Sequence, residues 1–138
     1  MKKELQIKLQ KEFPLLFERL GGKESETCMS WRHGGIAIND GWYNLFAGLC
    51  SAMTEHIEEH DDCSQVVFEQ VKEKFGRLRI YFSGGDSNIR SMINMAESVS
   101  GHICENCGDV GDLRTNSGWI HVSCNKCFQK DKVIYEDD

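Results

Sequence analysis

Four of the seven cysteines in this 138-residue chain stand as two Cys-x-x-Cys pairs, Cys104 with Cys107 and Cys124 with Cys127. Two thiolates three positions apart can converge on one ion, and two such pairs brought together supply the four sulfur ligands of a tetrahedral zinc site. A four-thiolate set leaves no coordination position for water, so the chemistry it implies is structural and not hydrolytic. Gly108, directly after the first pair, lets the backbone turn so that its amides face sulfur. Residues 112–115 (DLRT) and 118–122 (GWIHV) read as two short strands around an Asn-Ser-Gly turn, which would bring the pairs together. A redox dithiol fits less well, because the βαβ pattern that houses such a motif is missing, while an iron–sulfur cluster would use the same four thiolates. Cys28, Cys50 and Cys63 make the cysteine count odd, which argues against a disulfide framework. The N-terminal stretch MKKELQIKLQKEF is charged throughout and offers no apolar export region, so a cytoplasmic protein with reduced thiols and one structural Zn2+ is expected.

Other residues could do chemistry in other ways. The segment 56–60 (HIEEH) matches H-x-x-E-H, in which His56 and His60 would hold zinc and Glu59 would activate water. It ends a predicted helix among carboxylates, so the plainer reading is a solvated helix end where the dipole favours cationic histidines. A noncatalytic second metal site built from His56, His60 and Cys63 is the remaining metal reading. Cys50 falls on an apolar stripe and reads as an inert core residue, while Cys28 and Cys63 have no histidine that the sequence alone places beside them. His102 and His121 flank the cysteine pairs and could replace a thiolate, but four thiolates make them supporting or surface groups. The loop at 83–88 (SGGDSN) lacks the lysine of a phosphate loop and reads as a helix cap. Trp31, Trp42, Tyr43, Phe75 and Trp119 are expected in the core, with Trp31 and Trp119 the candidates for an exposed interface.

The formal charge of −6 speaks against nonspecific attraction to nucleic acid or an anionic membrane, and no stretch is long and apolar enough to cross a bilayer. The charge is unevenly placed. Residues 54–62 hold five carboxylates, Glu55, Glu58, Glu59, Asp61 and Asp62, whereas residues 72–79 hold Lys72, Lys74, Arg77 and Arg79 against one glutamate. A bipolar surface suits electrostatic steering toward a partner, and these clusters are the candidate partner-binding residues.

The elements that must position these groups follow from periodicity. Leu5, Ile7, Leu9, Phe13, Leu15, Leu16 and Leu20 among charges predict an amphipathic helix interrupted at Pro14 and stopped by Gly21-Gly22. Residues 34–39 (GGIAIN) suit a short strand, and Asp40 is placed to cap a helix over about 41–60. Trp42, Leu45, Phe46, Leu49, Cys50, Met53 and Ile57 share one face of that helix. Next comes a hairpin in which Val67, Val71 and Phe75 share a side, Gly76 punctuates, and Leu78, Ile80 and Phe82 alternate with outward Arg77, Arg79 and Tyr81. Asp86 caps a third helix with Ile89, Met92, Ile93, Ala96 and Val99 inward, ending at Gly101. The tail YEDD is expected to fray. The class is α+β: helices on a small antiparallel sheet over residues 1–101, joined to a cysteine hairpin and acidic tail over 102–138 as one integrated unit.

Over about residues 102–128 the chain resembles the zinc ribbon class, a likeness that implies the metal and leaves the role open. The segments at 41–42 (GW), 70–82 (QVKEKFGRLRIYF), 96–108 (AESVSGHICENCG) and 118–124 (GWIHVSC) together resemble a group of small uncharacterised bacterial and phage proteins. The expected function is a non-enzymatic, zinc-stabilised module that binds a protein partner as an inhibitor, immunity, anti-defence or adaptor protein. A nucleic-acid-binding regulator using the ribbon and the basic hairpin is the alternative, and a small metal-dependent hydrolase built on His56, Glu59 and His60 is the second.

Overall fold

The computed structural model describes residues 1–20, 36–116 and 118–136. Helix α1, Lys3–Glu12, ends where Phe13 precedes Pro14, whose ring disfavours helical backbone in the residue before it. Residues 14–20 then form turns and not a second helix, and these seat Leu16, Phe17 and Leu20 in the core. The Gly21-Gly22 stop, Cys28, Trp31 and Gly34-Gly35 lie outside the described residues.

Strand β1, Ile36–Ala37, leads to a 3-10 turn, Asp40–Trp42, and helix α2, Tyr43–Glu59. Asp40 does not cap this helix; its Oδ1 accepts the Lys2 amide at 2.8 Å and so fixes the N-terminus of the chain to the helix entry. Because α2 is a crossover, β2 (Val67–Lys74) returns parallel to β1, and β3 (Arg77–Ser83) then pairs antiparallel with β2. The sheet, ordered β1-β2-β3, is therefore mixed where a purely antiparallel one is expected.

The β2–β3 hairpin turns at Phe75 and Gly76, with φ of 54° and 81°, the left-handed backbone that a two-residue hairpin turn demands. Phe75 consequently sits at the tip, 67% exposed, and not in the core as its spacing predicts. The alternation slips because the register shifts between Phe68 and Gln70, a bulge that turns Phe68 and Val71 inward and leaves Val67 half-buried. Phe68, Phe17 and Phe46 form the centre of the core, with ring centroids 5.2 to 6.0 Å apart in tilted and edge-on arrangements that add to their burial.

Helix α3, Ser87–Ser100, starts as expected at Asp86, whose Oδ1 accepts the Ile89 amide at 3.0 Å. It buries Ile89, Ile93, Ala96 and Ser100, while Val99 turns outward. Ser100 is inward for a reason: β3 is an edge strand, and its outward amides at Leu78 and Ile80 donate to Ser100 Oγ (2.8 Å) and Glu97 Oε2 (3.0 Å). The helix thus closes an edge that would otherwise offer a template to another strand.

Strands β4 (Asp112–Asn116) and β5 (Trp119–Ser123) form the expected C-terminal hairpin. A helix that the sequence reading lacks, α4 (Asn125–Glu136), follows at once, so the tail is helical through Glu136 where fraying is expected from Tyr135. Its sequence is free of glycine and proline and includes three lysines, a glutamine and a glutamate, good helix formers. The architecture is α+β, and among the described residues no helix is long and apolar enough to cross a membrane.

Candidate metal centre

The first cysteine pair sits on a turn closed by its own backbone. The Cys104 amide donates to Asp109 O (2.7 Å), the Gly108 amide donates to Cys104 O (3.0 Å), and Gly108 supplies the left-handed φ of 86° that this turn needs. The second pair bridges the end of β5 and the first turn of α4, where the Phe128 amide donates to Cys124 O (2.9 Å) and the Cys127 amide to Cys124 Sγ (3.4 Å). That amide, aided by the neighbouring thiols, draws the Cys124 thiol down to about 7, while burial and the adjacent thiols push Cys127 up. The β4–β5 pairing then brings the two turns together, and all four sulfurs lie within 4.8 Å of one another. Cys107 and Cys124 are separated by 3.6 Å between sulfurs. That is close to the separation of about 3.8 Å between thiolates on one tetrahedral zinc, and far from the bond of about 2.05 Å in a disulfide. The cluster is compatible with a zinc-binding site.

The centre rests directly on the core. Gly41 donates to Glu105 O at 2.8 Å, and Trp42, fully buried, donates its indole Nε1 to Ile103 O at 2.8 Å. A Cβ at Gly41 would overlap the carbonyls of Cys104 and Glu105, and one at Gly76 would overlap the Leu113 side chain, so the four-cysteine segment packs against both the entry of α2 and the β2–β3 tip.

Between the cysteines of the first pair lies Glu105, 5% exposed, with Oε1 accepting the Val122 amide at 3.3 Å; burial pushes its carboxyl up to about 7. Nothing in the sequence singles it out. Of the two flanking histidines, His102 is exposed and His121 is buried, its ring stacked on Trp119 with centroids 3.8 Å apart. Trp119 is 41% exposed, at the surface and not in the core.

His56 departs most from expectation. It is not part of a solvated helix end; it is 8% exposed, because it follows Met53 by one turn on the buried stripe of α2, and its Nε2 lies 2.8 Å from Asp86 Oδ2. That hydrogen bond, with the Ile89 amide, holds the Asp86 carboxyl down to about 2. His60 stacks on His56 at 4.1 Å and bonds through Nδ1 to His56 O at 2.9 Å, and Glu59 is exposed. The residues gathered with His56 are therefore Cys63 and Asp86, whose ligand atoms lie within 4.8 Å of one another and of its own. The sequence does not mark Asp86 as a ligand, because it is remote from His56 and already reads as a cap. Cys63 has burial and the Asp86 charge beside it, and both push its thiol up. Cys50 is fully buried, as its stripe position predicts. The Gly85 amide donates to Ser64 O and Oγ (3.2 and 3.0 Å), so this amide of the loop before α3 is engaged within the chain.

Among the candidate partner-binding residues, Glu55, Glu58 and Glu59 are exposed along the end of α2. Lys72 pairs across the ladder with Arg79 and Lys74 with Arg77, which places four cations on the outer face of the hairpin beside exposed Tyr81 and Phe75. Lys72 lies 5.8 Å from the Tyr81 ring centroid and Lys74 5.9 Å from that of Phe75. A groove of about 840 Å³ runs between α2 and α3, walled by Leu45, Leu49, His56, His60, Met92 and Met95. No protein-family model, curated protein or solved structure matches the chain.

Proposed function

We propose that the protein is a non-enzymatic binding module, stabilised by one zinc ion on Cys104, Cys107, Cys124 and Cys127, that occludes or bridges a protein partner as an inhibitor, immunity, anti-defence or adaptor protein would. Zinc is the metal that suits four thiolates at this spacing, and a fully thiolate-ligated ion serves folding and not hydrolysis. The observation that carries the partner reading is the pairing of like charges, Lys72 with Arg79 and Lys74 with Arg77. Like charges directly opposite weaken a sheet, so the arrangement works against the hairpin it belongs to and is explained by an external acidic surface. The exposed aromatic rings beside the cations give such a contact an apolar anchor. A protein surface is favoured over nucleic acid by the net charge of −6, which opposes a polyanion for the chain as a whole.

The partner is obtained by affinity capture from the host with nuclease treatment, and association is then measured for Arg77→Glu with Arg79→Glu and, separately, for Glu58→Lys with Glu59→Lys. The arginine reversals place opposite charges across the ladder, so they do not weaken the fold. They should slow association about tenfold or more at low salt, with the gap narrowing as salt screens it. An unchanged rate removes charge from the encounter and shifts attention to Trp119; capture that disappears with nuclease supports the nucleic-acid alternative.

A further inference from the structure

Beyond the four-thiolate centre and the partner reading, we propose that His56, Cys63 and Asp86 form a second zinc site, with Nε2, Sγ and a carboxylate oxygen as ligands and a fourth position open to solvent. Three chain segments converge here: the last turn of α2, the loop that leaves it, and the cap of α3. Their ligand atoms lie within 4.8 Å of one another, which is the compactness a single ion needs. His56 Nε2 and Asp86 Oδ2, now 2.8 Å apart, need to open only to about 3.3 Å to share a tetrahedral ion at ordinary Zn–N and Zn–O lengths. Asp86 Oδ1 is meanwhile engaged by the Ile89 amide, so the carboxylate is already oriented with its other oxygen toward the cluster.

The donor set selects the metal class. One thiolate and one imidazole disfavour magnesium and calcium, which take oxygen ligands, and suit zinc. On binding, Cys63 releases its thiol proton to solvent, and the proton between His56 Nε2 and Asp86 moves through solvent to Nδ1, so that a neutral imidazole ligates through Nε2. With Cys63 and His56 buried and the Asp86 side chain 32% exposed, solvent reaches the ion from the Asp86 side. Three protein ligands and an exchangeable fourth make this the weaker of the two sites. His56 also walls the groove between α2 and α3, so an ion here fixes the two helices that border it. The site is a metal-responsive brace for that groove.

Zinc content after equilibration with excess zinc, followed by washing, and the sulfur-to-cobalt charge-transfer band during titration with cobalt(II) test this on the full chain. Wild type should hold about two equivalents and show a second, later increment of the band. Cys63→Ser and Asp86→Asn should each hold about one equivalent, and Cys63→Ser should lose the later increment. Asparagine still caps a helix through Oδ1, and its Nδ2, standing where Asp86 Oδ2 stood, donates to a His56 that carries its proton on Nδ1, so Asp86→Asn separates ligand loss from misfolding. A wild-type protein that takes one equivalent with a single increment, or variants that keep both, overturns the proposal.

Discussion

Cys104→Ser should strip the metal from the four-cysteine cluster and unfold residues 102–136 together, the largest effect expected of any single change outside the aromatic core. Cys104 is fully buried beneath the other three thiols, and its backbone closes the first turn through Asp109 and Gly108. A serine there leaves an incomplete ligand set, and for small zinc sites the binding energy, about 10–16 kcal/mol in apparent terms, is folding energy. An ordinary substitution costs about 1 kcal/mol. Hydrogen exchange should show the amides of β4, β5 and α4 losing protection while those of α2 and the β2–β3 hairpin, held by Phe17, Phe46 and Phe68, keep most of theirs. Cys50→Ala, equally buried but outside the cluster, is the control and should leave metal content unchanged. A Cys104→Ser protein that keeps as much metal as wild type, with an ion still held by sulfur alone, would sink the assignment of this residue.

Gly41→Ala should destabilise the chain by about 3 kcal/mol, while Gly48→Ala, seven residues on, should stabilise it by about 0.5–1 kcal/mol. At Gly41 the added methyl would meet the backbone of Cys104 and Glu105, which cannot rotate away as a side chain can, and the Gly41 amide would lose its bond to Glu105 O. At Gly48, within α2, nothing lies within 4 Å of an added Cβ, so only the better helix propensity of alanine is felt. Urea unfolding midpoints compare the two. A neutral Gly41→Ala would mean that the first cysteine turn is not docked on the entry of α2.

How much of this was legible in the sequence depended on how local each signal is. The cysteine spacing, the Asn-Ser-Gly turn and the Asp86 cap are written within a few residues, and the gathering of the four cysteines and the β4–β5 hairpin could be read from them directly. The α2 stripe was legible for the same reason, since Phe46, Leu49, Cys50 and Met53 repeat at helical spacing. Failures came where a tertiary event overrode a local pattern. A one-residue bulge after Phe68 turned Phe68 inward in place of Val67, and the two-residue turn at Phe75 and Gly76 put Phe75 at the tip. Ser100 is buried because an edge strand needs an acceptor, a need visible only once β3 lies beside α3. His56 read as a surface residue because its neighbours are acidic, although its position one turn after Met53 was signal enough; what the sequence withheld was Asp86, thirty residues away, as the group that makes its burial affordable. Glu105 carried no signal, because a carboxyl between two cysteines reads as solvent-facing until Val122 is placed above it.

X-ray absorption at the zinc edge, on protein loaded with a single equivalent so that the tighter site fills first, measures the central claim most directly. Four sulfur neighbours at about 2.3 Å, with no nitrogen or oxygen in the first coordination sphere, are expected. A sphere containing nitrogen or oxygen, or protein that retains no zinc, would contradict it.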